Sequence, residues 1–124
     1  MAVNVLLDSV ILIDHFNGIP AATSYLQQVR GQAVVSVITR AEVLTGFDEV
    51  GVPLARCLLD SFPTLPIDKE TADVAADLRR RHRWKLPDAF QAALAKRHEL
   101  ALATRNERDF PPEEFDFVLV PYSL

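Results

Sequence analysis

Four acidic residues occupy places in the sequence where a carboxylate could do chemistry. Asp8 interrupts the apolar run VNVLLDSVILID directly after Leu7, and Asp109 lies in the segment TRNERDF. Glu42 lies in RAEVL, and Asp88 follows the proline of LPDA. Taken alone, Asp8 is explained as a helix cap and Asp88 as a first-turn residue near the positive end of a helix. Glu42 alone is explained as a boundary residue with its head in water, and Asp109 as a turn residue.

The joint pattern of these acids predicts a metal site. Asp8 and the segment 104–109 each follow a predicted strand, while Glu42 and Asp88 lie near the N-terminal halves of predicted helices. All four side chains can therefore meet at one edge of a parallel sheet. Four ionised carboxylates in a low dielectric repel one another strongly, and a divalent cation removes that cost. Oxygen ligands without His or Cys suit Mg²⁺ or Mn²⁺ rather than zinc, and Mg²⁺ on a few carboxylates favours phosphoryl chemistry.

The elements that must position these acids alternate between strand-length apolar runs and longer helical segments. The first run is continuous rather than alternating, as expected of a parallel strand buried on both faces. Strands are predicted at Val3–Leu7, Ala33–Ser36, Thr64–Ile67, Leu100–Ala103 and Phe117–Val120. Helices are predicted after Asp8, at Ala22–Val29, at Val37–Thr45 capped by Ser36, at Leu54–Phe62, from Lys69 to about Arg83 capped by Asp68, and at Pro87–His98.

This alternation predicts an α/β fold: a central, mostly parallel sheet of four to five short strands, flanked by helices on both faces. A chain of 124 residues is expected to form a single domain over 1–124. Its one cysteine, Cys57, excludes an internal disulfide and a thiolate metal site. The N-terminal apolar run is too short to span a bilayer and lacks a basic leader, so we expect a cytoplasmic protein.

A basic patch precedes one of the acidic motifs. Five of the 13 basic residues fall in RRRHRWK at 79–85, although the net charge of the chain is −4. The patch is either a solvated helix end or a surface that contacts nucleic acid phosphates, and its position directly before LPDA raises the second possibility. Trp84 within it could stack on a base or pack in the core. The candidate phosphate contacts are Arg79, Arg80, Arg81, Arg83 and Lys85, with Arg105 and Arg108 beside the last acidic motif.

Four short motifs in order carry a family resemblance. They are LDS with LI behind it at 7–13, AEV at 41–43, LPDA at 86–89, and TRN followed by DF at 104–110. In these motifs the chain resembles PIN-domain ribonucleases, particularly the VapC-type toxins of prokaryotic toxin–antitoxin pairs. The resemblance implies a PIN-like three-layer α/β/α fold with Asp8, Glu42, Asp88 and Asp109 as the acidic quartet. It further implies that Ser9 and Thr104 orient the quartet.

Asn106 stands where many members of the family carry another acid. The resemblance therefore leaves open whether Asn106 or Asp109 reaches the metal more directly, and whether one metal or two are bound.

The resemblance implies a metal-dependent endoribonuclease that hydrolyses RNA phosphodiester bonds with Mg²⁺ or Mn²⁺. It also implies a cognate VapB-type antitoxin as partner and a homodimer. An apolar groove for the antitoxin is expected from Phe47, Leu54, Leu58, Leu59 and Phe62, some of which are also expected in the core.

Three other classes were weighed against this interpretation. A receiver domain would need paired acids after the first strand, but Asp8 is followed by Ser9 and Val10. It would also need a phospho-acceptor Asp at the end of the third strand and a lysine after a late strand. A haloacid-dehalogenase-like phosphatase would need an acid at Val10. A catalytically silent PIN-like binding or scaffold module remains the alternative.

Overall fold

The computed structural model describes residues 3–124 and contains eleven helices and strands within that range. Short strands and helices alternate along the chain, as the sequence pattern predicts. The strands are β1 (Val5–Leu7), β2 (Ala33–Ser36), β3 (Thr64–Leu65), β4 (Ala101–Ala103) and β5 (Val118–Leu119). The helices are α1 (Ser9–Phe16), α2 (Pro20–Gln28), α3 (Val37–Thr45), α4 (Val52–Asp60), α5 (Lys69–His82) and α6 (Leu86–Arg97).

The five strands form one parallel sheet in the order β3-β2-β1-β4-β5. β1 lies at the centre, with Leu6 paired to Val34 of β2 on one side and to Leu102 of β4 on the other. The chain therefore leaves β1 in one direction and returns to its other side after α6. In parallel sheets, a binding site usually forms at the point where the strand order reverses in this way, between the loops that follow the two adjacent strands.

Alternate residues of the central strand face two separate hydrophobic layers. Leu6 packs with α5 and α6, in a core that includes Ala75, Leu78 and Phe110. Leu7 packs on the opposite face with α1 to α4, in a core that includes Ile11. Because both faces of β1 are covered, the predicted three-layer α/β/α fold is confirmed.

Local sequence accounts for most element boundaries. The Ser36 and Asp68 side chains accept hydrogen bonds from the backbone N–H groups three residues later and begin α3 and α5, as predicted. α2 begins two residues earlier than predicted, because Pro20 occupies its first turn. α4 likewise begins before the predicted Leu54 and has Pro53 in its first turn.

The strands are mostly shorter than the apolar runs that predict them. β5 pairs with β4 only through Val118 and Leu119, and the predicted strand residues Phe117 and Val120 lie outside it. No helix in the range 3–124 is long and apolar enough to cross a membrane.

Candidate active site

The candidate site lies at the carboxyl edge of the sheet, between the loops that follow β1 and β4. Asp8 is the first residue after β1, and Thr104 is the first residue after β4. These two strands are neighbours, and the Asp8 backbone N–H donates to the Ala103 carbonyl at 3.0 Å. The strand reversal therefore brings two sequence motifs that are almost a hundred residues apart into contact.

Asp8 is buried and held by three hydrogen-bond donors. Its Oδ1 accepts from the Ser9 backbone N–H at 2.9 Å and from Gln91 Nε2 at 3.3 Å. Its Oδ2 accepts from the Thr104 hydroxyl at 2.7 Å. The residue is only 5% exposed, so these donors replace the water that an ionised carboxylate would otherwise bind. Every donor is a neutral group, and the carboxylate thus keeps its full charge available for a cation.

Gln91 connects Asp8 to a buried polar network between α6, β2 and α3. Its Nε2 also donates to Thr39 Oγ1 at 2.7 Å, while its Oε1 accepts from the Ser36 hydroxyl at 2.7 Å. The Thr39 hydroxyl in turn donates to the Leu7 carbonyl at 3.1 Å. The network therefore links the ends of β1 and β2 to the helix that carries Asp88.

Glu42 and Asp88 show that the acids share one electrostatic environment. Burial raises the pKa of Glu42, a hydrogen bond from Ser9 lowers it, and the nearby negative charge of Asp8 raises it. Burial together with the charges of Asp8, Asp109 and Glu42 raises the pKa of Asp88 to about 6, against a smaller lowering effect of Lys85. The charges of Asp8, Asp109 and Glu42 therefore all act on Asp88, and the assignment of the four acids as one metal site stays a prediction.

Asp109 is oriented by its own loop and by Trp84, which lies in the connection between α5 and α6. The Asn106 amide donates to Asp109 Oδ2 at 3.0 Å, and the Asp109 N–H donates to Asn106 Oδ1 at 3.3 Å. The Asn106 N–H is itself bound by Thr104 Oγ1 at 3.0 Å. Trp84 is buried and donates its indole N–H to the Asp109 carbonyl at 2.9 Å, so it packs in the core rather than offering a free stacking face.

Asn106 and Asp109 therefore act as a pair in this structure. The Asn106 side-chain N–H donates to the Asp109 carboxylate and its Oδ1 accepts from the Asp109 backbone N–H, so the amide is used within the pair and Asp109 is the acidic member.

A second buried acid, Asp14, is neutralised in a different way. Arg105 donates to both of its oxygens, at 2.7 and 2.8 Å, and the Tyr122 hydroxyl donates to Oδ2 at 2.8 Å. The hydrogen bond from Arg105 lowers the pKa of Asp14 more than burial raises it. The guanidinium that the sequence suggested as a phosphate contact is thus engaged with Asp14, and the assignment of Arg105 to RNA binding stays a prediction.

The basic patch forms the end of α5. Arg79 donates to the Trp84 carbonyl at 2.8 Å and closes the end of the helix. Arg81 forms an ion pair with Asp77 one turn earlier, and Arg80 lies 3.5 Å from the same carboxylate. These arginines therefore stabilise the end of α5 through hydrogen bonds and ion pairs, although their side chains are largely exposed.

Three other cations, Arg83, Lys85 and Arg108, lie near the two acidic motifs that contain Asp88 and Asp109. Arg83 ends α5 in a left-handed conformation, with φ of 58°, and Lys85 immediately precedes α6. Lys85 acts on the charge of Asp88. Arg108 and Asp109 line a pocket of about 220 Å³ beside Trp84. Exposed positive charge thus borders the acids on the α5–α6 side and on the Asp109 loop.

The four acidic side chains offer oxygen ligands of the kind that a hard divalent cation needs. Within residues 3–124, however, no three His, Cys, Asp or Glu side chains already form a group that could hold a metal ion. Burial, and after it the negative charges of Asp8, Asp109 and Glu42, raises the pKa of Asp88 to about 6, and the side-chain donors to Asp8 carry no charge. A cation would relieve this repulsion, and carboxylate oxygens are ligands that Mg²⁺ and Mn²⁺ prefer.

Sequence reasoning missed Gln91 and Thr39, and it treated Ser36 only as a helix cap. Gln91 follows Asp88 by three residues, which places both side chains on one face of α6, and its neighbours Ala92 and Ala93 are buried. A lone polar residue on a buried alanine face was the available signal.

Comparison with known proteins agrees with this architecture. Residues 5–112 match the family model described as "PIN domain". The chain is 35% identical to Ribonuclease VapC10 of Mycobacterium tuberculosis over 114 residues, which cover 86% of each chain. A solved chain of a toxin–antitoxin complex from Klebsiella pneumoniae is 34% identical, with a TM-score of 0.89 over 98% of this chain and 100% of that one.

FitAcB from Neisseria gonorrhoeae has the same fold at 23% identity. Its TM-score is 0.79, over 97% of this chain and 99% of that one.

Proposed function

This chain belongs to the PIN-domain family, and from that premise we propose that it is a divalent-metal-dependent endoribonuclease and the toxin of a toxin–antitoxin pair. The ribonuclease relative and the toxin–antitoxin structure, each more than 30% identical over most of both chains, support the activity and its biological setting. The observation that carries the proposal is the buried Asp8 carboxylate at the carboxyl edge of the sheet, which is held only by neutral donors and whose charge, with those of Glu42 and Asp109, acts on Asp88.

The four acids would hold the metal, and the surrounding residues would hold the acids. A bound Mg²⁺ or Mn²⁺ supplies Lewis acidity toward the phosphate and a water of lowered pKa. Thr104 and the Ser9 backbone fix Asp8, the Ser9 side chain lowers the pKa of Glu42, and Asn106 fixes Asp109. Hydrogen bonds therefore hold Asp8 and Asp109 in place before a cation binds, which reduces the reorganisation that binding requires.

Binding of RNA to an acidic site requires flanking positive charge. Arg83, Lys85 and Arg108 are exposed beside Asp88 and Asp109, and Arg80 and Arg81 extend the positive surface along α5. These side chains would contact phosphates on either side of the scissile bond.

A surface of α1 and α4 has the chemistry that an antitoxin helix would need. A pocket of about 430 Å³ is lined by Phe16, Leu54, Cys57 and Leu58, among others. Leu54 is exposed, whereas Leu59 and Phe62 are buried in the core, so only part of the predicted apolar set is available to a partner. We propose that a VapB-type antitoxin docks here through an amphipathic segment. The homodimer, the single domain over 1–124 and the cytoplasmic location stay predictions.

The test is cleavage of total cellular RNA by the purified, antitoxin-free protein. We expect discrete fragments with Mg²⁺ or Mn²⁺ and none with chelator. Asp88→Asn should abolish the fragments, because it removes one of the shared charges. Asp73→Asn is the matched control, since it makes the same change on an exposed part of α5 and should cleave like the native chain.

Two results would contradict the proposal. Fragments that persist in chelator or with Asp88→Asn would come from a contaminant or from another site. No cleavage of any RNA by folded protein, together with no stabilisation by Mn²⁺, would favour a silent PIN-like scaffold instead.

A further inference from the structure

We infer that Gln91 is a positioning residue that fixes the Asp8 carboxylate for the cation. The inference rests on the proposed function and deepens it. The starting observation is the burial of an amide: Gln91 is 1% exposed, in a helix whose neighbouring buried residues are mostly alanine. A buried amide is costly unless its polar atoms are bonded, and both its nitrogen and its oxygen have partners here.

The backbone, rather than Asp8, determines which way the amide points. The Leu7 carbonyl can only accept, so the Thr39 hydroxyl donates its proton there and must accept from Gln91 Nε2. The Thr39 N–H can only donate, so Ser36 Oγ accepts from it and turns its own proton toward Gln91 Oε1. Both ends of the amide are thereby assigned, and its nitrogen faces the site.

The second N–H of this fixed amide is directed at Asp8. Nε2 lies 3.3 Å from Oδ1, the oxygen that also accepts from the Ser9 N–H at 2.9 Å. Thr104 binds the other oxygen. An ionised carboxylate has about four acceptor positions, and these donors occupy three of them. Gln91 and Ser9 thus fill Oδ1, and the one acceptor position left for a cation is on Oδ2.

This arrangement separates a positioning role from a packing role. Packing alone would need a side chain of this size at Gln91 and no particular donor. Positioning needs an N–H at this place, held by the Thr39 hydroxyl. Residues that orient metal ligands through hydrogen bonds typically change metal affinity or activity 10- to 100-fold when they are replaced.

The test compares Gln91→Met with Leu94→Met, a similarly conservative change at another buried position of α6. Mn²⁺ binding to the protein alone is measured by calorimetry, and RNA cleavage supplies kcat and KM. For Gln91→Met we expect Mn²⁺ affinity and kcat each to fall about 10-fold or more, with KM for RNA unchanged. Leu94→Met should bind Mn²⁺ and cleave like the native chain.

A second pair of variants removes the dependence on whether Gln91→Met folds. Thr39→Val deletes the hydroxyl that orients the amide and should weaken Mn²⁺ binding, whereas Thr39→Ser retains that hydroxyl and should restore it. Native-like Mn²⁺ affinity in both Gln91→Met and Thr39→Val would overturn the inference while leaving the proposed function intact. A change in KM or stability alone would mean a packing role and would also overturn it. A native chain that neither binds Mn²⁺ nor cleaves RNA would overturn the proposed function and this inference with it.

Discussion

Two aspartates six residues apart, Asp8 and Asp14, are equally buried, but only Asp14 is paired with a positive charge. Each is 5% exposed and each follows an apolar stretch of the N-terminal run. Asp14 has a guanidinium across its two oxygens. Asp8 has only neutral donors, and the charged groups that share its environment are other acids. The negative charge of Asp14 is thus balanced by Arg105, whereas the site around Asp8 has an excess of negative charge.

The difference teaches how to recognise a functional carboxylate. Burial alone does not distinguish the two residues, and neither does the number of hydrogen bonds. The sign of the neighbouring charges does: the hydrogen bond from Arg105 lowers the pKa of Asp14, whereas the charge of Asp8 adds to the effect of burial in raising the pKa values of Asp88 and Glu42. A cluster that is electrostatically unfavourable in the folded protein persists where a ligand relieves it.

The largest expected effect is the loss of activity in Asp8→Asn. The substitution removes a metal-binding charge but preserves the shape of the side chain, so we expect RNA cleavage to fall roughly 10³-fold or more. The free energy of unfolding, measured by urea titration, should change little, because the neutral donors around Asp8 can bond to an amide oxygen. Residual cleavage within 10-fold of the native rate would remove Asp8 from the catalytic group.

Asp14→Asn should show the reverse pattern. Removal of one partner of a buried ion pair leaves the other unpaired, and the partial exposure of Arg105 reduces this cost. We expect the free energy of unfolding to fall by about 2 kcal/mol at pH 7, measured by urea titration, with kcat nearly unchanged where the protein is folded. Asp77→Asn breaks an exposed pair with Arg81 and is the control, for which we expect no measurable loss. Equal stability of the two variants would contradict the comparison.

Asp88→Asn should stabilise the metal-free protein in a pH-dependent manner. The pKa of Asp88 is about 6 in the folded chain and 3.8 ordinarily, so the folded state binds its proton more tightly. Its contribution to stability is therefore favourable below pH 4 and is lost as the pH rises through 6. Since the side chain is half-exposed, we expect a gain of about 1 kcal/mol at pH 7 for the Asn variant. Urea unfolding at pH 5 and pH 7 measures it, and a gain that is larger at pH 5 would contradict the assignment.

Tyr122→Phe should give the smallest effect. The change removes one hydrogen bond to Asp14 and leaves the ion pair with Arg105 in place. We expect a loss of about 1 kcal/mol in stability by urea titration and no change in Mn²⁺ binding. A loss as large as that of Asp14→Asn would mean that the tyrosine, rather than the arginine, holds the acid.

Much of the fold was accessible to sequence reasoning because its signals are local. The Ser36 and Asp68 caps and the continuous apolar run of β1 are properties of a few neighbouring residues. The end of a strand is equally local, and the parallel sheet then gathers Asp8 and the segment 104–109 at one edge.

The partners of buried polar groups were not accessible in the same way. Arg105 lies beside an acidic motif, which fits an RNA contact as well as an ion pair, and its partner Asp14 is 91 residues away. The spacing of Gln91 from Asp88 predicts a shared helix face but does not identify Asp8 as the partner across the sheet. Such pairings depend on the strand order, which local patterns do not determine.

The central position of β1 has a consequence for synthesis of the protein. β1 is the first strand to leave the ribosome, but its neighbour β4 and the Thr104 hydroxyl that holds Asp8 come some 95 residues later. Asp109 follows later still. Contacts this distant in sequence form late in folding. The nascent chain therefore cannot bring all four acids together until residue 109 has been synthesised, about a hundred residues after Asp8.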